Sequence, residues 1–187
     1  MNFTTIILAG GQSTRMGENK ALVPFMGKPL IQYSIDLART FTNDIFISSN
    51  NHDLDYLQFP VIQDIFKVKA PLAGIHAGLT ASHSDWNLIL TCDMPNITKE
   101  LIDRLYSALD EELRMVVPHH NGFIEPLCGF YHKSLIPFIE GNLIAGKYAL
   151  IDLPDSVPHR FITMADVLPE EIALLFTNVN EKKDLPG

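Results

Sequence analysis

The residue types and spacings best suited to chemistry are Arg15 and Lys20 in one polar loop, and Asp93 at the end of an apolar run. The loop, Gly10-Gly11-Gln12-Ser13-Thr14-Arg15-Met16-Gly17-Glu18-Asn19-Lys20, follows directly on Ile6-Ile7-Leu8-Ala9. A buried strand that breaks at paired glycines turns sharply and leaves amides able to approach a ligand. Amides and two fixed cations in one loop suit a polyphosphate. A nucleoside triphosphate is therefore the first substrate class to consider. Two commoner phosphate loops fail here. Gly17 is followed by Glu18, Asn19 and Lys20, and the Gly-Lys pairs Gly27-Lys28 and Gly146-Lys147 are followed by Pro29 and Tyr148, so no Gly-Lys-Ser/Thr loop exists. A dinucleotide fingerprint needs glycine where Gln12 stands.

Asp93 closes Trp86-Asn87-Leu88-Ile89-Leu90-Thr91-Cys92-Asp93-Met94-Pro95. A buried strand ending in a carboxylate puts a hard anion at the mouth of a sheet. That suits Mg²⁺, which takes one or two carboxylates, substrate phosphates and water. A capping role for Asp93 is the bland alternative, but Thr98 is already placed to cap the next helix. Cys92 reads as core rather than as a nucleophile.

These residues need a scaffold. Apolar strand-like runs at Phe3 to Ala9, Asp44 to Ser48, Val61-Ile62, Trp86 to Thr91 and Met115 to Pro118 alternate with helix-like segments. The helices are expected at Pro29 to Arg39, Pro71 to Ala81, Thr98 to Leu109 and Ser134 to Ile139, the first two opening on proline in the first turn. Alternation of this kind predicts an α/β fold, a mostly parallel twisted sheet with helices on both faces. Such sheets bind ligands beyond the carboxyl ends of their strands. The rule selects Gly10-Gly11, Ser48 to Asn50, Asp64 and Cys92-Asp93.

The loop pattern Leu-Ala-Gly-Gly-x-Ser-x-Arg-Met-Gly-x-x-Lys resembles the signature of the molybdenum cofactor guanylyltransferases, a nucleotidyltransferase family, and the likeness runs along nearly the whole chain. It implies a three-layer Rossmann-like nucleotidyltransferase fold over residues 1–187. It implies transfer of GMP from GTP to the phosphate of molybdopterin, with Mg²⁺ on Asp93 and release of pyrophosphate. Cytidylyl transfer, another phosphate acceptor, and a GTP-binding regulator with the same fold are the alternatives. Leu8, Ala9, Gly10, Gly11, Lys20, Ser48, Asp64 and Asp93 are the implied nucleotide contacts, and Arg15, Lys20 and Asp93 the catalytic set. Some relatives have Asn in place of Ser48, and Asn50 is a nearby substitute. Ala70 replaces a family glycine ahead of Pro71-Leu72-Ala73-Gly74, and Asn19 stands where many relatives carry Asp. Phe176-Thr177-Asn178-Val179-Asn180 resembles the family's late Phe-x-Asn-x-Asn motif, which implies Asn178 and Asn180 on the acceptor side. Glu125-Pro126-Leu127 resembles a substrate-side hairpin. Gly146-Lys147 resembles a late basic element, so that Lys147 or Arg160 would meet the acceptor phosphate. Transient contact with other proteins of the molybdenum cofactor pathway is implied as well.

Composition agrees. With 187 residues, 47% hydrophobic and 19% charged, the chain is large enough for one well-buried domain. A net charge of −8 argues against nucleic acid as a partner. Cys92 and Cys128 make neither a disulfide framework nor a zinc spacing, and the adjacent His119 and His120 lack a third ligand. No run is long enough to span a bilayer and the N-terminus lacks a signal-peptide pattern, so a cytoplasmic location without membrane contact is expected.

Overall fold

The computed structural model describes residues 2–10, 19–164 and 169–180. The expectations for Gly11 and Arg15 fall outside the described residues. β1 (Thr4–Leu8) is followed by a small hairpin, β2 (Pro24–Phe25) with β3 (Lys28–Pro29), and by α1 (Leu30–Arg39). β4 (Ile45–Ser48) and β5 (Val61–Ile62) precede α2 (Pro71–Ala81) and β6 (Trp86–Thr91). Then come α3 (Lys99–Ser107), β7 (Met115–His120), β8 (Phe123–Ile124) and β9 (Gly129–His132). α4 (Ile136–Ile144), β10 (His159–Thr163) and α5 (Pro169–Leu175) follow.

The main sheet has the order β10-β7-β9-β6-β1-β4-β5, with β8 paired to β7. Strands β6, β1, β4 and β5 are mutually parallel, and so are β7 and β10. β9 runs antiparallel between β6 and β7, so β7 points the same way as β6. The carboxyl ends of β1, β4, β5, β6, β7 and β10 therefore share one edge. Alternate residues of β1 face opposite layers. Ile6 and Leu8 pack with α2 and α4 through Leu72, Ile75, Leu79, Ile139 and Leu143. Ile7 packs with Ile31, Ile35 and Ala38 of α1. On α3 and α5, Leu101, Ile102, Leu105 and Ile172 pack against Phe3, Leu88, Leu90 and Phe130. Among the described residues no helix is long and apolar enough to cross a membrane.

The expected strands and helices form, with corrections at their ends. Pro29 is not in the first turn of α1. It stands before the helix in extended conformation and pairs with Pro24, while Leu30 N–H donates to the Val23 carbonyl at 3.0 Å. A 3₁₀ turn, Lys133–Leu135, takes the expected start of α4, which then runs on to Ile144. β8, β9, β10 and α5 are elements that periodicity does not flag. β9 is too short, and β10 is a largely exposed strand at the end of the sheet order with no apolar alternation.

Two glycines mark where layers meet without room for a side chain. A Cβ on Gly78 of α2 would lie 2.6 Å from Ile6 Cγ2, and one on Gly129 of β9 would lie 2.7 Å from the Val116 carbonyl oxygen and 2.6 Å from Val117 Cγ1. The obstacle at Gly129 includes backbone, which cannot rotate aside. Gly129→Ala is expected to cost about 1–3 kcal/mol, read as a lower urea midpoint at unchanged m-value. An unchanged midpoint would show that β9 can shift away from β7.

Candidate active site

Asp93 follows β6 at the shared carboxyl edge. Its Oδ1 accepts a hydrogen bond from Thr91 Oγ1 at 2.7 Å, and the Thr91 carbonyl accepts from Ser34 Oγ of α1 at 2.9 Å. The carboxylate is thus oriented from its own strand, and the strand end from the helix beneath it. Its other oxygen, Oδ2, meets Lys20 Nζ at 2.7 Å, with the side chains only 18% (Lys20) and 20% (Asp93) exposed. Lys20 opens a 3₁₀ turn, Lys20–Leu22, whose N-cap is Asn19. The Asn19 Oδ1 accepts from Ala21 N–H at 3.1 Å. Asn19 therefore sets the backbone of the lysine rather than pairing with its charge.

The chain returns to this point after α5. Val179 N–H donates to the Asp93 carbonyl at 2.9 Å, and Lys20 Nζ donates to Asn180 Oδ1 at 2.7 Å. Val179 is 2% exposed in a cluster with Val23, Phe25 and Leu30, and Asn96 Nδ2 donates to the Leu174 carbonyl at 3.1 Å. Phe176 stacks on His120, with ring centroids 4.3 Å apart and planes 3° from parallel. The Phe-x-Asn-x-Asn segment is fastened at several points, and Asn180 reaches the carboxylate through the lysine. Asn178 lies beside Val179 on the same fastened segment.

A second pair forms at the ends of β4 and β5. Asn50 Nδ2 donates to Asp64 Oδ2 at 2.6 Å, and Asp64 N–H donates back to Asn50 Oδ1 at 3.0 Å. Ser48 is buried, and its hydroxyl lies against α2, where a Cβ on Gly74 would stand 2.6 Å from Ser48 Oγ and 3.6 Å from Asp64 Oδ1. The Ser48 carbonyl accepts from Ala9 N–H at 2.9 Å, and the Leu8 carbonyl from Cys92 N–H at 3.1 Å. Leu8, Ala9 and Gly10 thereby stand between the Asn50–Asp64 pair and Asp93. At this strand end Asn50 is the exposed amide, and Ser48 is packing.

Glu125, after β8, is the other acid near the centre. Burial pushes its carboxyl above the ordinary range; the Leu127 N–H opposes this and the Asp93 charge adds to it. Its Oε1 accepts from Leu127 N–H at 3.4 Å. His120 is lowered by burial and by neighbouring His119, which disfavours the imidazolium. Burial, reinforced by the Asp93 charge, pushes the Cys92 thiol up to about 12, so it stays protonated within the core.

Lys147 and Arg160, expected on the acceptor side, make local contacts of their own. Lys147 lies in the exposed turn after α4, its N–H donating to the Asn142 carbonyl at 2.8 Å, and among the described residues it joins no ion pair. Arg160 Nη1 donates to the Ala108 carbonyl at 2.8 Å, tying β10 to the end of α3. Sequence reasoning missed Thr91, Ser34 and His120. Only Thr91, two residues ahead of Asp93, left a local signal.

Asp93 Oδ2 and Asn180 Oδ1 are hard oxygens facing one cationic atom, which is the donor type that Mg²⁺ takes. Among the described residues no three His, Cys, Asp or Glu side chains cluster to hold a metal. The fit is to an ion that shares its shell with substrate phosphates and water.

Comparison with known proteins identifies the family. The MobA-like NTP transferase domain matches residues 5–156. The chain is 35% identical to the probable molybdenum cofactor guanylyltransferase of Flavobacterium johnsoniae over 97% of this chain and 94% of that one. It is 34% identical to the molybdenum cofactor guanylyltransferase of Vibrio vulnificus over 96% of this chain and 91% of that one. Among solved structures, molybdopterin-guanine dinucleotide biosynthesis protein A from Archaeoglobus fulgidus shares the fold with a TM-score of 0.81 at 21% identity, covering 97% of this chain and 94% of that one. A polar centre built on Lys20, Asp93 and Asn180 at the carboxyl edge of such a sheet, together with these relatives, places the chain in the molybdenum cofactor guanylyltransferase family of MobA-like nucleotidyltransferases.

Proposed function

We propose that this protein transfers GMP from GTP to the phosphate of molybdopterin, forming a guanine dinucleotide cofactor and pyrophosphate, with Mg²⁺ required. The observation that supports this reading is the convergence of Asp93 and Asn180 on Lys20 in a chain of this family. In the reaction an acceptor phosphate oxygen attacks the α-phosphorus, a new phosphoanhydride bond forms, and the bond to the β-phosphate breaks. A phosphate monoester is largely ionised near neutral pH, with its second pKa at about 6, so no general base is needed. Catalysis then rests on alignment and on charge placed where charge develops. Lys20 neutralises the departing pyrophosphate, and Arg15 has the same role. Thr91 and Val179 hold Asp93 in one orientation. Bound Mg²⁺ would be held by Asp93 and would supply Lewis-acid neutralisation of the phosphates.

Leu8, Ala9 and Gly10 line the base and triphosphate side, and Gly11 is assigned to the nucleotide with them. Asp64, oriented by Asn50, offers a carboxylate to the N–H edge of guanine. Asn178 and Asn180 face the acceptor, and Glu125 borders it. Lys147 belongs to the acceptor side only if the turn after α4 moves in. We read residues 1–187 as one nucleotidyltransferase domain acting in the cytoplasm, in keeping with two unpaired buried thiols, Cys92 and Cys128. Transient contact with other proteins of the pathway is part of this reading.

The direct test is pyrophosphate release with each nucleoside triphosphate, Mg²⁺ and molybdopterin. Release with GTP alone is expected; release with CTP would move the protein to cytidylyl transfer, and no release from folded protein would overturn the reading. Lys20→Ala is expected to lower kcat about 100-fold or more. Asn19→Ala should cost about 1 kcal/mol of stability through the lost cap and much less activity. Similar activity losses in both would remove Lys20 from phosphate binding. Asp93→Ala should abolish Mg²⁺-dependent turnover in a protein that still folds.

Glu125 yields a stability test. Its folded pKa is raised, so its charged form is disfavoured by folding, and stability contributed by its proton is lost as pH rises through the folded pKa. Glu125→Gln is expected to raise the urea midpoint at pH 7, with the gain shrinking as pH falls through the raised folded pKa and gone below the ordinary 4.5. A midpoint lower at pH 7 would mean the charged form is held by a partner.

A further inference from the structure

Lys20 Nζ lies 2.7 Å from Asp93 Oδ2 and 2.7 Å from Asn180 Oδ1. One anionic and one neutral oxygen thus converge on a single cationic atom. Both oxygens are fixed by other parts of the chain. Asp93 has its second oxygen committed to Thr91 and its carbonyl to Val179 N–H. Asn180 is delivered next to Val179, which is buried among Val23, Phe25 and Leu30. The position between the oxygens is therefore built by the fold, and the lysine ammonium fills it. Lys20 has a long, flexible stem, and its charge is mobile in a way the two oxygens are not.

From this geometry we infer that Lys20 is the resident cation of the metal position, and that a divalent ion and the lysine exchange places between Asp93 and Asn180. The inference rests on the reading of Asp93 as the metal carboxylate. At the same oxygen the ammonium and a divalent ion repel each other, so occupancy by one disfavours the other. Entry of the ion frees Lys20, whose alternative partner is the triphosphate. Binding of the triphosphate in turn draws Lys20 away and opens the position to the ion. The two ligands are then positively coupled, and the coupling is reciprocal. In the nucleotide-free protein the ammonium neutralises Asp93 and keeps it from binding stray cations. Asn180 acts here as a positioning residue, holding the lysine in its resting place.

The experiment measures Mn²⁺ binding to the full chain without nucleotide, by the electron paramagnetic resonance signal of the free ion. Lys20→Met removes the competing charge at similar length. It is expected to tighten Mn²⁺ binding about 5-fold or more, the lower range of typical site coupling, although the same substitution removes activity. Asp93→Asn should abolish the tight component in both backgrounds. Unchanged or weaker Mn²⁺ binding by folded Lys20→Met, with Asp93-dependent binding in the unsubstituted protein, would overturn the exchange and leave the metal role of Asp93 standing. Mn²⁺ binding that is absent or independent of Asp93 in both forms would overturn both. A second measurement uses the unsubstituted protein: acetylation of Lys20, followed by mass spectrometry. The rate should rise when Mg²⁺ is added without nucleotide, and an unchanged rate would also overturn the exchange.

Discussion

A carboxylate at the end of a buried strand has to be held by something, and Asp93 is held from four directions. Thr91 Oγ1 and Lys20 Nζ contact its carboxylate oxygens, Val179 N–H donates to its main-chain carbonyl, and Ser34 fixes the strand end that carries it. These partners come from β6 itself, from the 3₁₀ turn after the first loop, from the segment after α5, and from α1. A charged oxygen is costly to bury without such partners, and each partner gains geometry from being shared. The remaining architecture serves to bring these distant pieces to one point at the carboxyl edge of the sheet.

The closing segment shows how that is done. Residues 176–180 have no regular structure to hold them, yet they reach the centre in a defined position. Phe176 lies flat on His120 at the end of β7, Val179 fills a small apolar cluster under the β2–β3 hairpin, and backbone donation to Asp93 fixes the spacing between them. Apolar anchors on either side leave Asn180 at the polar centre. The hairpin itself, easily overlooked as a two-by-two residue strand pair, provides Phe25 for the same cluster. Stabilising the tail and shaping the site are thus one set of contacts.

On the nucleotide side the controlling feature is close packing. Gly74 lets α2 approach Ser48 Oγ, Leu8 and Asp64 at once. Ser48 is consumed by that contact, while Asn50 and Asp64 lock to each other through two hydrogen bonds. The Asn50–Asp64 pair is thus fixed by short polar side chains, whereas the charge at the Asp93 centre sits on the long stem of Lys20.

The sequence by itself determined the parallel α/β frame, because strand-length apolar runs alternating with amphipathic helices have few other ways to bury their surfaces. It also placed Gly10, Asp64 and Asp93 just past their strands, on the shared carboxyl edge, and it indicated the family through the motif around Lys20. Those signals are local, and local physics suffices to read them. It could not decide between Ser48 and Asn50, which differ only in which side chain α2 covers. It left Lys147 and Arg160 as equal candidates, where the fold ties one to a helix end and leaves the other on an exposed turn. It gave no hint that Ser34 and His120 brace the centre, or that Lys20 and Asn180, 160 positions apart, share a hydrogen bond. Such contacts depend on how far layers approach and where the chain returns, quantities set by packing of the whole and written in no single stretch of residues.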